Sequence, residues 1–421
     1  MPSAKEAEDI ALAPIENELL VDTRIDWGEI SPLLYGTNYG PWVALPATMI
    51  EEAKALAPTV IRWPGGEWGD NNDVRPYQVD QFVAFTKQLG AVPSIHVRLK
   101  RGSPEVAANL VRYANIEKGY GIKYWAIGNE PTLYAAALGE EYDTERFNRE
   151  WREFAIAMKA VDDSILLVGP ELHQFTGNPA GNLKDSSGRD WMIEFLKANG
   201  DLVDIVSFHR YPFGDAHRVT TIADLRADAY TWDRKIAYLR ELIQEYTGRE
   251  LPIAVTEVNS HWSKAIQQEA SPDSHFNAIW WADVMGRLIS QNVYMVNHWM
   301  LTSQAGQGGW GLIGRGELRP TYYTYMLYQQ FGNRQVAAVS GVDDLSVYAA
   351  AGADGALTIM IVNLADEPQS APLQVRGKTL QNIEVWLLDD MHNAEQVDLS
   401  LVYSEGRVNL PRHSVSLLVI Q

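Results

Sequence analysis

Hydrophobic and polar residues follow two different patterns along this chain. From residue 34 onward, short runs rich in apolar and β-branched residues are separated by longer segments with apolar residues three and four positions apart. Runs such as ILLVG at 165–169 and DIVSF at 204–208 are nearly continuously apolar, which is typical of parallel strands buried on both faces. We predict eight such strands, at Leu34–Gly40, Thr59–Gly65, Ala91–Val97, Tyr124–Glu130, Ile165–Leu172, Asp204–Tyr211, Pro252–Asn259 and Tyr294–Met300.

The segments between these strands have a helical period, as in Pro104–Lys118 and Asn277–Ser290. Asp143 or Thr144 is a predicted N-cap for a helix that runs to Ala160. Eight strand–helix repeats in one order predict an α/β fold, a closed (β/α)8 TIM barrel over residues 31–332. An open doubly wound sheet is the alternative fold. It would normally carry a glycine-rich phosphate-binding turn after the first strand, and YGTNYGPW is not such a turn.

After about Asn333 the apolar residues alternate at period two between Gly, Asp and Pro turns. This pattern predicts a C-terminal antiparallel β-sandwich domain of six to eight strands over residues 333–421. The stretch at 16–30 is also strand-like and precedes the barrel. We therefore expect an N-terminal segment, residues 1–30, to contribute strands to the sandwich.

Composition restricts the partners that we expect. With 54 acidic against 35 basic residues, the net charge is −19, which disfavours nucleic acid and anionic membrane surfaces. The absence of cysteine excludes disulfides, thiolate metal sites and cysteine nucleophiles. No apolar run long enough for a membrane span and no signal peptide are visible, so a cytoplasmic location is the default expectation, or a secreted one if a signal was removed. The sequence does not determine the oligomeric state.

Polar and aromatic residues follow most of the predicted strands where they end. In a barrel of this type the active site lies at the C-terminal face of the strands, so these side chains should meet on one rim. From the second strand to the eighth they are Arg62, Trp63, Glu67 and Trp68, then His96, then Asn129 and Glu130, then Glu171 and His173, then His209 and Tyr211, then Glu257, and finally Trp299.

Glu130 and Glu257 end the fourth and seventh strands and should face each other across the barrel. Retaining glycoside hydrolysis requires such a pair, with carboxyl groups about 5–5.5 Å apart. We expect Arg62 and Tyr211 to keep Glu257 ionised. Glu130 has no evident cationic partner in the sequence and is expected to stay protonated near neutral pH. A single glutamate of this kind is more often a surface carboxylate, but two at strand ends three strands apart are hard to explain as packing.

Glu67 and Glu171 are the alternative carboxylates, expected to contact substrate or to form structural ion pairs. The other expected substrate contacts are Arg62, Trp63, Trp68, His96, Asn129, His173, His209, Tyr211 and Trp299. For His209, a buried histidine satisfied by the backbone is an equally supported interpretation. The 14 Trp and 19 Tyr residues also fit a site in which sugar rings stack on aromatic faces.

The segments Gly128-Asn129-Glu130-Pro131 and Thr256-Glu257-Val258-Asn259 resemble the acid/base and nucleophile motifs of clan A glycoside hydrolases. Together with ISPLLYGTNYG at 30–40 and IRWPGGEW at 61–68, their order and spacing are similar to families 51, 39 and 44. The resemblance implies that Glu130 is the acid/base, that Glu257 is the nucleophile, that Asn129 binds the sugar 2-hydroxyl and that Trp299 forms the floor of the −1 subsite.

The expected activity is therefore retaining hydrolysis of plant-type poly- or oligosaccharides, with β-1,4-glucan or xylan favoured. An exo-acting α-L-arabinofuranosidase or β-xylosidase is the close alternative, and a transglycosylase or a non-catalytic carbohydrate-binding protein is less favoured. Family 44 enzymes carry a bound metal, but no convincing ligand set is visible here, so we expect neither a metal nor a cofactor.

Overall fold

The structure is a computed structural model that describes residues 12–214, 218–263, 265–304 and 306–421. Strand β1 (Leu19–Glu29) precedes a closed barrel of eight parallel strands in sequence order. The barrel strands are β2 (Gly36–Asn38), β3 (Val60–Trp63), β4 (Val92–Val97), β5 (Tyr124–Ile127), β6 (Leu166–Leu172), β7 (Ile205–Arg210), β8 (Ile253–Val258) and β9 (Met295–His298). The predicted barrel is confirmed, with strands slightly shorter than expected at the ends where loops begin.

The helices surround this barrel. They are α1 (Ile50–Leu56), α2 (Gly66–Asn71), α3 (Pro76–Leu89), α4 (Pro104–Val111), α5 (Tyr134–Leu138), α6 (Thr144–Lys159), α7 (Trp191–Asn199), α8 (Ile222–Ala229), α9 (Trp232–Thr247), α10 (His275–Ser290) and α11 (Pro320–Tyr328). Asp143 caps α6 by accepting a hydrogen bond from the backbone N–H of Arg146, as its position predicts. In the described parts of the chain, no helix has the length and apolar character needed to cross a membrane.

The barrel interior is apolar toward the N-terminal ends of the strands and polar toward their C-terminal ends. The lower layer is formed by the buried residues Leu33, Val60, Tyr124, Ala126, Val168, Ile205, Ala254 and Met295. Because side chains alternate across a strand, Val60 and Arg62 face the interior while Ile61 and Trp63 face the helices. The alternation therefore decides which residues of the strand ends can reach the site.

A second sheet of ten strands packs beside the barrel. It contains β1 together with β10 (Arg334–Ser340), β11 (Leu345–Ala351), β12 (Leu357–Asn363), β13 (Gln369–Arg376), β14 (Ile383–Leu388), β15 (Asn393–Val397), β16 (Tyr403–Ser404), β17 (Arg407–Leu410) and β18 (Ser414–Ile420). It curls around its own apolar core, which includes Leu19, Val347, Ile361 and Leu418.

Two details of this sheet differ from the prediction. It has more strands than the six to eight expected, and it is not purely antiparallel. Strand β1 lies between β10 and β13, pairing antiparallel with the first and parallel with the second. The parallel pair arises because β1 comes from the start of the chain and is not joined to either neighbour by a hairpin. Of the N-terminal segment predicted to join the sandwich, residues 1–11 lie outside the described residues.

Candidate active site

Glu257 lies at the C-terminal end of β8 beside a β-bulge. Residues His209 and Glu257 pair across β7 and β8, whereas the preceding pair is Phe208 with Val255, so Thr256 is an extra residue on β8. A bulge of this kind changes the direction of the side chains that follow it. Thr256 points into the barrel, where its hydroxyl donates to Glu171 at 2.7 Å, and Glu257 also faces the interior.

Three donors surround the Glu257 carboxylate. Arg62 Nη1 donates to Oε1 at 2.8 Å, and the backbone N–H of Gly66 donates to the same oxygen at 3.1 Å. The Tyr211 hydroxyl donates to Oε2 at 2.9 Å. Both contacts expected for Glu257 are thus present, and Gly66 adds a third.

Arg62 is fully buried and connects several of these side chains. Its Nη2 is 2.6 Å from Glu171 Oε2, and its Nη1 is 2.8 Å from Glu257 Oε1. It also donates to the side-chain oxygens of Asn129 and Asn38, at 2.9 and 3.0 Å. Removing one partner of such a buried charge pair typically costs about 3–5 kcal/mol of folding free energy. The network around Arg62 therefore holds its partner side chains in position and also balances their charge.

Glu130 sits at the opposite side of the barrel mouth and is partly open to solvent, with its side chain 22% exposed. Its backbone has a left-handed conformation, with φ of 49°, and its N–H donates to the carbonyl oxygen of Glu171 at 2.9 Å. Left-handed backbone is unfavourable for a residue other than glycine, so the neighbouring structure must hold this turn in place.

His209 lies between the carboxylates. Its Nδ1 is 2.9 Å from Glu130 Oε1, and its Nε2 is 3.2 Å from Glu171 Oε2. Burial would lower the pKa of His209, but the charge of Glu257 and the hydrogen bonds to Glu130 and Glu171 outweigh it and raise the pKa to about 9. His209 is therefore protonated at neutral pH and donates to a carboxylate from each ring nitrogen.

This contact corrects the expectation that Glu130 lacks a cationic partner and stays protonated by itself. Burial would raise the pKa of Glu130, but the hydrogen bond and charge of His209, with further contributions from His173 and Arg62, lower it. The two residues are far apart in the chain, so the sequence did not reveal the contact. A proton is consequently shared by the hydrogen-bonded pair of His209 and Glu130.

One oxygen of Glu130, one nitrogen of His209 and one oxygen of Glu257 all lie within 4.8 Å of one another. Three such groups could hold a metal ion, but the close approach of the two carboxylates also matches the spacing of a retaining glycosidase. An inverting enzyme needs a gap of about 6.5–9.5 Å to admit a water molecule between them. The geometry therefore supports a covalent, double-displacement reaction.

The two glutamates open into a pocket of about 530 Å³, a size typical of small-ligand sites. Its lining residues are Gly66, Glu67, Glu130, Leu133, His173, Gln174, Tyr211, Glu257, Trp262, Trp299 and Trp310. Trp299 stacks on Trp42 with ring centroids 5.7 Å apart and forms one wall. Trp262 is 58% exposed at the rim, so its face is open to a ligand.

The structure brings most of the predicted residues to this site. Glu67, His173, Tyr211 and Trp299 line the pocket itself. His173 Nδ1 is also 2.6 Å from the hydroxyl of Thr132, close to Glu130 in the chain. Arg62, Asn129 and His209 are buried directly beneath the carboxylates of Glu130 and Glu257 and contact them or each other. Glu171 belongs to this buried layer and acts as a structural ion-pair partner.

Three predicted substrate contacts are not among the residues that line this pocket. Trp63 is only 4% exposed and stacks on Phe82 of α3, because it faces the opposite side of β3 from Arg62. His96 is fully buried against Gly69 and does not line the pocket. Trp68 is half-buried and packs against the hydrophobic core. Strand alternation could have excluded Trp63, whereas the other two depend on how α2 sits on the barrel.

Several residues of the site were not predicted. Gly66 is the first residue of α2 and follows another glycine. A Cβ at Gly66 would lie 2.7 Å from the Trp299 ring, so the close approach of these two residues requires glycine. Leu133 and Gln174 line the pocket from the loops after β5 and β6. These loop residues carry no sequence signal that distinguishes them from ordinary surface positions.

Comparisons with known proteins identify several similar chains. No family profile matches the chain. A probable α-L-arabinofuranosidase C from Aspergillus fumigatus is 23% identical over 486 residues, covering 91% of each chain. The structure of a thermostable GH51 α-L-arabinofuranosidase from Thermotoga petrophila matches with a TM-score of 0.76 and 19% identity, covering 96% of this chain and 100% of that one. A family 44 xyloglucanase from Paenibacillus polymyxa matches with a TM-score of 0.71 and 17% identity, covering 96% and 99%.

At these identities the structural matches establish the fold, a TIM barrel with a β-sandwich domain. The comparisons confirm the predicted resemblance to clan A glycoside hydrolases of families 51 and 44, and they confirm glycoside hydrolase as the enzyme class.

Proposed function

We propose that this protein hydrolyses glycosides with retention of configuration, using Glu257 as nucleophile and Glu130 as acid/base. The observation that carries the proposal is the pair of carboxylate oxygens within 4.8 Å of each other at the mouth of the barrel. Their surroundings differ in the way that the two roles require. Glu257 is held by Arg62, Tyr211 and Gly66, whereas Glu130 shares a hydrogen bond with a protonated histidine.

In the first step, Glu257 Oε attacks the anomeric carbon and the bond to the leaving oxygen breaks. Glu130 donates a proton to that oxygen, drawing on the proton held with His209. In the second step, Glu130 accepts a proton from water, and the resulting hydroxide attacks the anomeric carbon and releases Glu257 as a carboxylate. Asn129 is fixed by Arg62 through its side-chain oxygen, so its amide NH2 is oriented to donate to a sugar hydroxyl, as the resemblance implies.

For the substrate, we favour a terminal α-L-arabinofuranosyl group removed by exo-action. The support is that relatives matched over most of their length are named as α-L-arabinofuranosidases, together with a compact pocket walled by Trp262, Trp299 and Trp310. This changes the preference drawn from the sequence, which was for β-1,4-glucan or xylan. An endo-acting glucanase or xylanase remains the second candidate, because exposed Trp262 offers a stacking surface beyond the catalytic pair.

The proposal is tested by assaying 4-nitrophenyl α-L-arabinofuranoside, 4-nitrophenyl β-xyloside, arabino-oligosaccharides, xylan and β-1,4-glucan. We expect the highest kcat/KM on the arabinofuranosides, and NMR of the first-formed sugar should show the anomeric configuration of the substrate. Higher activity on an internal polymer linkage would favour the second candidate. An inverted first product would contradict the mechanism for either substrate.

The His209–Glu130 pair predicts the alkaline limb of the pH profile. Because the pKa of His209 is raised to about 9, the pair keeps its proton at neutral pH and loses it as the pH rises through that value. We expect kcat/KM for substrates with poor leaving groups to fall above about pH 9 for the same reason. In His209→Gln the alkaline limb should move to lower pH, because the Glu130 carboxyl group then holds the proton without His209. If the alkaline limb lies at the same pH in His209→Gln as in the wild type, this assignment is contradicted.

A further inference from the structure

Helix α2 reaches both catalytic glutamates through its two ends. At its first residue, the backbone N–H of Gly66 donates to Glu257 Oε1 at 3.1 Å. Four residues later, Asp70 Oδ1 accepts a hydrogen bond from the backbone N–H of Asn129 at 3.1 Å. Asn129 directly precedes Glu130. A single short helix thus contacts the nucleophile itself and the backbone that carries the acid/base.

Asp70 is buried, with 2% of its surface exposed, and its acceptor oxygen has a second donor. The hydroxyl of Tyr134, which is 1% exposed, donates to the same Oδ1 at 2.5 Å. The Tyr134 hydroxyl oxygen also lies 3.2 Å from the Asn129 backbone nitrogen and accepts from it. Asp70, Tyr134 and the Asn129 N–H therefore form a closed triangle of hydrogen bonds away from solvent.

The turn that this triangle holds has two residues in the left-handed region. Gly128 has φ of 78° and Glu130 has φ of 49°. A side chain at Gly128 would meet the Tyr134 hydroxyl at 2.9 Å, so the turn packs directly on this tyrosine. Strained backbone of this kind persists only when surrounding contacts hold it. The N–H groups of Gly128 and Glu130 donate to the carbonyl oxygens of Val97 and Glu171, both at 2.9 Å, and the triangle holds the Asn129 N–H between them.

Helix α2 has little freedom to move. A Cβ at Gly69 would lie 1.9 Å from His96 Nε2, and a Cβ at Gly66 would lie 2.7 Å from the Trp299 ring. Helix α2 therefore packs against His96 on one side and against Trp299 at its first residue. This explains why His96 is buried at the end of a barrel strand without reaching the pocket: it supports α2.

Asp70 is costly to bury and has no role in the two chemical steps. Burial raises its pKa to about 8, although the hydrogen bond from Tyr134 and the charge of Lys100 act in the opposite direction. An unpaired carboxyl group in such a place usually serves a structural or functional purpose that compensates for the cost of desolvation.

We infer that Asp70 is a positioning residue for the acid/base, and that through α2 it fixes the distance between Glu130 and Glu257. The inference rests on the proposed function, because it assumes that Glu130 transfers the proton. Loss of the Asp70 carboxyl group leaves the Asn129 N–H with only the Tyr134 hydroxyl as acceptor, and that hydroxyl loses its own acceptor, so the strained turn is held less firmly. A small displacement of Glu130 then impairs proton transfer, while Glu257, held by three other groups, stays in place.

The experiment compares Asp70→Ala and Asp70→Asn on two glycosides of the preferred sugar, one with a 2,4-dinitrophenyl leaving group and one with a sugar or alkyl leaving group. For Asp70→Ala we expect kcat/KM on the poor leaving group to fall by about tenfold to 100-fold, the range expected for a misplaced catalytic group. The dinitrophenyl glycoside needs no proton on departure, so its kcat/KM should be unchanged. Asp70→Asn retains an acceptor oxygen and should restore most of the lost activity.

Asp185→Ala is the matched control. The Asp185 side chain is also buried and accepts from the backbone N–H and the hydroxyl of Thr144, at 3.2 and 2.7 Å, but it does not line the pocket. It differs from Asp70 in also accepting from the backbone N–H groups of Ser187 and Arg189 and in forming an ion pair with Arg189. We expect it to lower thermal stability without changing the ratio of kcat/KM between the two substrates. A purely structural role for Asp70 would give the same result as this control, and that outcome would overturn the inference.

If Asp70→Ala does not fold, Tyr134→Phe decides the matter, because it removes the hydroxyl that completes the triangle. A loss confined to the poor leaving group supports the inference, and equal loss on both substrates or no loss overturns it. Failure of the proposed function is distinguishable. If the loss of kcat/KM in Glu130→Ala does not depend on the leaving group, the acid/base assignment is wrong. If the loss depends on the leaving group in Glu130→Ala but not in the Asp70 and Tyr134 variants, only the positioning role is contradicted.

Discussion

Replacing Glu257 by alanine should lower kcat by about 10⁴-fold or more, the scale of loss seen when a covalent nucleophile is removed. The reason is that the proposed double displacement proceeds through an ester formed at Glu257, and the short distance between Glu130 and Glu257 fits this reaction better than direct attack by water. The loss should appear on good and poor leaving groups alike, because both need the nucleophile. Steady-state rates on the best aryl glycoside measure it.

Rescue by a small nucleophile provides the control for Glu257→Ala. Azide or formate should enter the space left by the side chain, restore part of the turnover and give a product of inverted configuration. Arg62 keeps its ion pair with Glu171 at 2.6 Å in this variant, so the protein is expected to fold. A Glu257→Ala protein with full activity would overturn the mechanism, and rescue with retained configuration would assign the nucleophile to another residue.

Replacing Glu130 by alanine should have the second largest effect, and it should depend on the leaving group. General acid catalysis contributes about 10²–10⁴-fold, so kcat/KM should fall by this amount on substrates with a sugar or alkyl leaving group. On a 2,4-dinitrophenyl glycoside kcat/KM should change little, because this leaving group departs without a proton. The measurement is a plot of log kcat/KM against leaving-group pKa, which should be steeper than for the wild type.

The second step gives an independent check on Glu130→Ala. Without a general base, the covalent intermediate should accumulate on activated substrates, so kcat falls and azide restores it. The glycosyl azide should have the configuration of the substrate, opposite to the result for Glu257→Ala. A uniform loss on all substrates with no response to azide would contradict the acid/base role.

Both glutamates could be found from the sequence because the signals for them are local. Each follows a short apolar run and precedes a loop, and strand ends of a parallel barrel share one rim. The same local alternation places Arg62 inside the barrel and Trp63 outside. Sequence periodicity is a property of neighbouring residues, so it predicts elements and faces well.

Contacts between distant segments were decided only by the tertiary structure. The proton assignment at Glu130 changed because His209 approaches it from another strand, next to a bulge that redirects Glu257. The position of β1 between β10 and β13 likewise depends on pairing between the two ends of the chain.

The barrel and the placement of Glu130 and Glu257 at one rim were therefore determined by the sequence itself, through strand order and local pattern. The charge state of Glu130, the burial of His96 and the contact of Asp70 with the acid/base turn were decided by closure of the barrel and by the packing of α2. The physical reason is that a pKa or a strained turn depends on which groups surround it in space, and those groups come from residues far apart along the chain.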